Sequence, residues 1–150
     1  MPTSQALHNQ DFYTWAVTTA RLMRHRQRHE IDWEAVIEEI ESLARWDKRG
    51  LAGRLEALVI HLLKWCAQPQ GRQLGHSWYY TIQGQRSQIE LVLEDSSSLR
   101  HEVDALLTKR YRKARERALD QTGLPKTALP RTCPWSSTQI LADDFWPETW

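Results

Sequence analysis

The apolar residues of this chain recur at three- and four-residue spacing along most of its length, and this periodicity constrains the fold more than any other feature. Such spacing places side chains on one face of an α-helix, which has 3.6 residues per turn. No stretch of five or more residues alternates cleanly between apolar and polar side chains, as a half-buried strand would. The sequence therefore predicts a single all-α domain over residues 1–150.

The same pattern predicts an antiparallel bundle of four main helices, which run over about residues 9–28, 33–67, 76–94 and 97–121. Gly50 and Gly53 interrupt the second helix, and each weakens a helix by about 1 kcal/mol relative to Ala. We therefore expect this helix to bend or to break briefly there. Residues 1–8 precede the first helix and are expected to form a flexible tail.

The first two helices carry apolar stripes that are predicted to face the bundle interior. The stripe of the first helix comprises Phe12, Trp15, Ala16, Thr19, Leu22 and Met23. The stripe at the start of the second comprises Trp33, Val36, Ile37, Ile40, Leu43 and Ala44.

Residues 124–150 differ in character from the helical part, because prolines and aromatic residues are frequent there. Ser136 and Gln139 have capping-box spacing, which predicts a short helix over about 137–142. Large aromatic side chains are costly to leave in water, so we expect this segment to pack across the bundle as a strap. Its aromatic residues are Trp135, Phe145, Trp146 and Trp150.

Charge and cysteine content limit the class of protein. The chain has 20 Lys and Arg against 19 Asp and Glu, a net charge of +1, which argues against a wholly basic nucleic-acid-binding protein. Two cysteines are too few to staple a domain of this size, which favours free thiols in a reducing compartment. No apolar run is long enough to span a bilayer, and residues 1–10 lack the apolar core of a signal peptide. We therefore expect a cytoplasmic protein with no membrane association.

Seven short motifs occur in a fixed order along the chain. They are Asp11-Phe12-Tyr13-Thr14-Trp15, Glu38-Glu39-Ile40-Glu41-Ser42-Leu43, His61-Leu62-Leu63-Lys64-Trp65, Ser77-Trp78 with Ile82 and Gln85-Arg86, Ser98-Leu99-Arg100, Thr122-Gly123-Leu124-Pro125 and Cys133-Pro134-Trp135. In this order and approximate spacing, over residues 9 to 148, the chain resembles domain of unknown function family 29, an uncharacterised bacterial family. The resemblance implies a small all-α fold and adds no catalytic residue, because the family carries no established activity.

A polar row on the second helix is the first candidate site. Asp47, Arg54 and His61 are seven residues apart and therefore lie along one stripe beside the apolar face. One interpretation is a site in which His61 is a general base or ligand, Arg54 binds an anion, and Arg86 faces them from the third helix. The favoured alternative is an internal salt-bridged network that sets the register of the helices.

A basic run on the fourth predicted helix is the second candidate. With Glu116 it carries a local charge of 6 − 1 = +5. Such a cluster is able to contact the phosphates of a nucleic acid or an acidic protein partner. The favoured alternative is a solvated face with ion pairs inside the protein, because no motif for base recognition accompanies the run. The basic residues are Lys109, Arg110, Arg112, Lys113, Arg115 and Arg117.

Metal sites are not expected. Glu38, Glu39 and Glu41 point in three directions around a helix, and no Glu-x-x-His motif occurs. His25 and His29 are one helical turn apart, but their basic surroundings repel a cation. No metal or cofactor is therefore predicted.

The sequence contains no nucleophile elbow, phosphate-binding loop or dinucleotide fingerprint. We therefore predict a non-enzymatic protein-interaction module, which binds a protein partner or a second copy of itself. Nucleic-acid association through residues 109–117 is the alternative. An enzyme that uses the His61 region is the third hypothesis.

Overall fold

The computed structural model describes residues 3–72 and 77–149. Within these ranges it contains helices and no strand, which confirms the all-α class. Short 3-10 turns lie in several of the connections. His76 and Trp150, which the sequence assigned to the third helix and to the strap, lie outside the described residues. The α-helices are α1 (Ser4–Gln10), α2 (Phe12–Arg24), α3 (Trp33–Ala67), α4 (Ser77–Asp95), α5 (Val103–Thr122) and α6 (Ser137–Leu141).

The chain divides into two compact units, an N-terminal unit (Met1–Trp46) and a C-terminal unit (Asp47–Trp150). Each unit has its own cluster of buried apolar side chains. Helix α3 begins in the first unit and ends in the second. A single domain over residues 1–150 stays a prediction.

In the N-terminal unit, helix α1 (Ser4–Gln10) includes residues 4–8 of the expected flexible tail. The Thr3 hydroxyl caps α1 by accepting a hydrogen bond from the amide of Ala6, at 3.2 Å. Asp11 then caps α2 by accepting one from the amide of Thr14, at 3.0 Å. Caps of this kind satisfy the free N–H groups of a first helical turn. The periodicity missed α1 because a seven-residue helix is too short to show an apolar stripe.

The core of the C-terminal unit forms around the second part of α3. Five leucines of this helix are fully buried against apolar side chains from α4, α5 and α6. The segment after α5 also reaches this core, since Leu129 and Ile140 are buried in it and Trp146 stacks on Tyr79 with the rings 4.8 Å apart. The leucines are Leu51, Leu55, Leu58, Leu62 and Leu63.

Two predicted helix ends are formed as the sequence indicated. Gly123 ends α5 in the left-handed conformation, with φ of 69°, where glycine is favoured because it has no Cβ. Ser136 and Gln139 form a reciprocal capping box at the start of α6.

Helix α3 is continuous through Gly50 and Gly53, so the expected break there is wrong, and the bend stays a prediction. A Cβ atom built on either glycine meets nothing within 4 Å. The neighbouring Leu51 and Leu55 are completely buried. This packing holds the backbone in the helical conformation despite the low helix propensity of glycine.

We predict that Gly50→Ala and Gly53→Ala each raise the free energy of unfolding by about 0.5–1 kcal/mol. Alanine loses less backbone entropy on folding, and the open space admits its methyl group without strain. Urea denaturation of the two variants measures the gain. Gly123→Ala is the control, and it is expected to destabilise the protein because its φ is positive. A loss of stability in both helical variants would contradict the continuous helix.

Candidate functional site

The predicted polar row on α3 does not form a cluster. Asp47 is exposed, whereas Arg54 and His61 are half-buried. Asp47 and Arg54 make no hydrogen bond or ion pair with the residues that the structure describes. The Nδ1–H group of His61 donates to the carbonyl oxygen of Ala57 on its own helix, at 2.8 Å. The structure thus brings no two of these three side chains together.

Burial lowers the pKa of His61, because an imidazolium ion is poorly solvated there. The hydrogen bond to Ala57 opposes this shift, and the charge of Lys64 adds to it. His61 is therefore neutral at pH 7. Its hydrogen bond to the helix backbone gives it a structural role.

Arg86, the fourth residue of that predicted site, holds the C-terminal segment onto α4. Its side chain is 2% exposed. Its Nε and Nη2 donate to the carbonyl oxygens of Ile140 and Phe145, both at 2.8 Å, and its guanidinium lies 5.3 Å from the ring centre of Trp146. Burial lowers its pKa, against the opposing charges of Asp143 and Asp144. Its hydrogen bonds are thus made to the strap and not to the polar row.

Two arginines of the predicted basic run bind a buried carboxylate. Glu56 of α3 is 3% exposed. Arg110 Nη1 donates to its Oε2 at 3.2 Å. Arg117 Nη1 lies 2.6 Å from Oε1, an ion pair that lacks the alignment of a hydrogen bond. These arginines compensate a buried charge inside the protein.

The other basic residues of the run divide between internal contacts and solvent. Arg115 donates to the carbonyl oxygens of Lys126 and Leu129, which ties α5 to the following segment. Arg112 pairs with Glu116 one turn along the helix at 3.3 Å. Lys109 and Lys113 are exposed and make no ion pair with a described residue.

A groove of about 620 Å³ lies between α5 and residues 131–138. The Tyr111 hydroxyl, which lines it, donates to the Pro130 carbonyl at 2.6 Å, and burial raises the pKa of Tyr111 to about 12. Burial also raises the pKa of the Cys133 thiol, another lining group. Both groups are therefore protonated at pH 7, and neither is an activated nucleophile.

Within the described ranges, no group of three or more His, Cys, Asp or Glu side chains is placed to hold a metal ion. His25 is exposed, and His29 lies 3.8 Å from Glu30. Glu39 contacts His8 of α1 at 2.5 Å. Glu38 and Glu41 point into solvent.

The N-terminal unit has a small core. Trp15 of α2 packs with Ile31, Ala35 and Val36, and these are the four buried apolar residues of the unit. Leu7, Ala16 and Leu22 pack against them from the periphery.

Large apolar side chains therefore remain in solvent on this unit. Of the twelve exposed large hydrophobic residues in the described part of the chain, nine belong to it. Six of the nine were predicted to be interior, and that prediction is wrong, because they are 40% to 66% exposed. The nine residues are Phe12, Tyr13, Val17, Met23, Trp33, Ile37, Ile40, Leu43 and Trp46.

Five of the nine exposed side chains form a stripe on each of the two helices. On α3, Trp33, Ile37 and Ile40 follow at spacings of four and three, the repeat of a helix that packs along another helix. On α2, Tyr13 and Val17 are four residues apart. At 100° per residue, the α3 stripe lies about a third of a turn from Ala35 and Val36, whereas the α2 stripe lies nearly half a turn from Trp15. We call the nine exposed residues together the exposed apolar face.

Charges of opposite sign border the two stripes. Beside the α3 stripe stands an acidic row of exposed carboxylates, Glu34, Glu38 and Glu41. Beside the α2 stripe stand Arg21 and Arg24, which are exposed and make no ion pair with a described residue. The periodicity could not separate this face from the core, because both faces of α3 carry apolar residues at helical spacing. The available signal was the width of the apolar surface, which exceeds one stripe.

The chain belongs to the family described as domain of unknown function DUF29, which matches residues 7–146. This confirms the resemblance that the seven motifs carried. The comparisons found no matching curated protein and no matching solved structure.

Proposed function

We propose that the protein is a non-enzymatic interaction module that binds another polypeptide through the exposed apolar face of its N-terminal unit. The observation that carries this proposal is the concentration of nine exposed large hydrophobic residues in residues 12–46. Scattered apolar residues are normal on a protein surface, whereas a concentration bordered by charge is typical of a binding site.

The size of the face supports the proposal. Tyr13 is 77% exposed, Trp46 72%, Phe12 52% and Trp33 46%. With about 200 Å² for each aromatic side chain, these four alone leave about 500 Å² of aromatic surface in water. Five more apolar residues add to this exposed area. Burial against a partner would remove the free-energy cost of keeping this apolar surface in water.

The arrangement of the C-terminal unit supports a role other than catalysis. Arg86, Tyr111 and His61 each make a hydrogen bond to a backbone carbonyl. These bonds stabilise the fold. An antiparallel arrangement of the four main helices is part of the same proposal.

The cytoplasm suits such a module, because both Cys66 and Cys133 are free and Cys66 is buried. Burial raises the pKa of the Cys66 thiol to about 12, so the thiol is unreactive. No helix in the two described ranges has the length and apolar character needed to cross a bilayer.

Nucleic-acid association through residues 109–117 is the second candidate function, and it has less support. Arg110, Arg115 and Arg117 are engaged inside the protein. Lys109, Lys113 and Arg112 remain at the surface. We expect no retention on immobilised DNA at physiological salt. Retention that is lost steeply as salt rises would favour this alternative.

Photo-crosslinking in the cells that express the protein tests the interaction module. A photoreactive amino acid at Leu43, which is 66% exposed, is expected to give a discrete covalent adduct with a polypeptide. The same amino acid at Leu91 of α4, which is 52% exposed and lies outside the face, is the matched control and should give none. Ile40→Glu should abolish the adduct at Leu43. No adduct at Leu43, or equal adducts at both positions, would contradict the proposal.

A further inference from the structure

We propose that the exposed apolar face binds a second copy of the same chain, in a two-fold symmetric dimer in which α2 of each copy packs on α3 of the other. This inference rests on the proposed function and specifies its partner. It follows from three properties of the N-terminal unit, namely its charge distribution, the shape of its helix pair and its exposed area.

The charge distribution makes the unit complementary to itself. Arg21 and Arg24 border the α2 stripe, and Arg26 and Arg28 follow at its end. None of these four guanidinium groups pairs with a described carboxylate. The acidic row of α3 is equally free, apart from a contact of 3.9 Å between Glu41 and Arg45. A basic helix from another protein would satisfy the acidic row and leave the arginines unpaired, whereas a second copy satisfies both.

Helix α2 and the first part of α3 each have an exposed side. The α3 stripe lies about a third of a turn from Ala35 and Val36, and the α2 stripe lies nearly half a turn from Trp15. Two such helix pairs stack when a two-fold axis places α2 over the partner's α3. The same axis places the basic border of α2 beside the partner's acidic row. The dimer therefore contains two equivalent contacts of this kind.

The symmetry also excludes the simplest alternative pairing. If α3 packed on the partner's α3, then Glu34, Glu38 and Glu41 would approach their own copies, and like charges would repel. Pairing of α2 with α3 replaces that repulsion with attraction. This pairing also gives a closed dimer, because both stripes of both copies are covered and none is left for a third copy.

The exposed area is sufficient for a specific dimer. A standard interface buries about 800 Å² on each partner. The four aromatic residues of the unit contribute about 500 Å² of this, and Val17, Met23, Ile37, Ile40 and Leu43 are 40% to 66% exposed. The nine residues therefore supply the apolar centre of an interface of standard size.

Sedimentation equilibrium of the full chain is the first test. The wild-type protein is expected to be a dimer at micromolar concentration, and Ile40→Glu is expected to be a monomer because a carboxylate cannot be buried unpaired. Leu91→Glu is the matched control and should remain a dimer. Circular dichroism and urea denaturation of Ile40→Glu show whether its helices are intact. A wild-type monomer, or a Leu91→Glu monomer, would overturn the inference.

A charge exchange between α2 and α3 is the second test, and it does not depend on an apolar substitution. We expect the pair Arg21→Glu and Arg24→Glu, and separately the pair Glu38→Arg and Glu41→Arg, to weaken self-association at least about tenfold. An equimolar mixture of the two variants should associate about as strongly as the wild-type protein, since both contacts in the mixed dimer regain opposite charges. A mixture no stronger than either variant alone would overturn the inference.

The two proposals fail in different ways. If the crosslink at Leu43 joins the chain to a different protein and the wild-type chain is a monomer, the interaction module stands and the second copy is wrong. If no crosslink forms at Leu43 and the chain is a monomer, both are wrong. An adduct with the mass of two chains, together with restored association in the mixture, supports both.

Discussion

Replacing Arg86 with Met is expected to lower the free energy of unfolding by about 3 kcal/mol and to release the C-terminal segment from α4. The side chain makes two charged hydrogen bonds to the carbonyl oxygens of Ile140 and Phe145, and it is almost completely buried. Each such bond contributes about 1.5 kcal/mol or more. Met fills a similar volume and cannot donate, so two buried acceptors lose their partner.

Urea denaturation measures the stability, and chymotrypsin measures the release, because Leu141 and Phe145 lie at the carbonyl groups that Arg86 holds and become cleavable when the segment detaches. Arg100→Met is the matched control. Arg100 pairs with Glu90 at 2.8 Å, but both side chains are about half exposed, so we expect a loss below about 1 kcal/mol. Equal losses in the two variants, or slow cleavage in Arg86→Met, would show that Arg86 does not hold the segment.

Removing the two arginines that pair with the buried Glu56 is expected to lower the free energy of unfolding more than removing the Glu56 carboxylate. The double variant Arg110→Met and Arg117→Met should lose about 3–5 kcal/mol, because Glu56 then stays buried without a compensating charge. Glu56→Leu should lose less than about 1 kcal/mol, since the side chains of Arg110 and Arg117 are 30% and 52% exposed and can turn into water.

The comparison is made by urea denaturation of both variants at the same pH and salt. The exposed pair between Arg112 and Glu116 provides the control, because Arg112→Met is expected to change stability by less than about 1 kcal/mol. A larger loss of unfolding free energy in Glu56→Leu than in the double arginine variant would contradict this expectation. It would show that the carboxylate positions the arginines.

Local rules predicted most of the helices and several of their ends. The stop at Gly123 and the capping box at Ser136 depend on residues within a few positions of each other, and both occur as expected. The break predicted at Gly50 was wrong because contacts outside the local sequence decide the structure there. There, the burial of Leu51 and Leu55 outweighs a local preference that the sequence shows correctly.

The candidate residues were harder to interpret than the helices. The spacing of Asp47, Arg54 and His61 places them along one stripe of α3, but spacing does not show what faces that stripe. Arg86 was singled out with them, and its contacts prove to be backbone carbonyls of the strap, 54 and 59 residues further along the chain. Nothing local to Arg86 indicates that partner.

The sequence by itself determined the all-α class, the main helices, the family and the absence of known catalytic motifs, because each of these depends on residue types at short spacing. Only the tertiary structure decided which apolar stripe is covered. Trp15 and Trp33 carry equivalent signals in the sequence, and one is buried while the other is 46% exposed. The physical reason is that burial depends on how many helices surround a surface, and helical periodicity contains no count of neighbours.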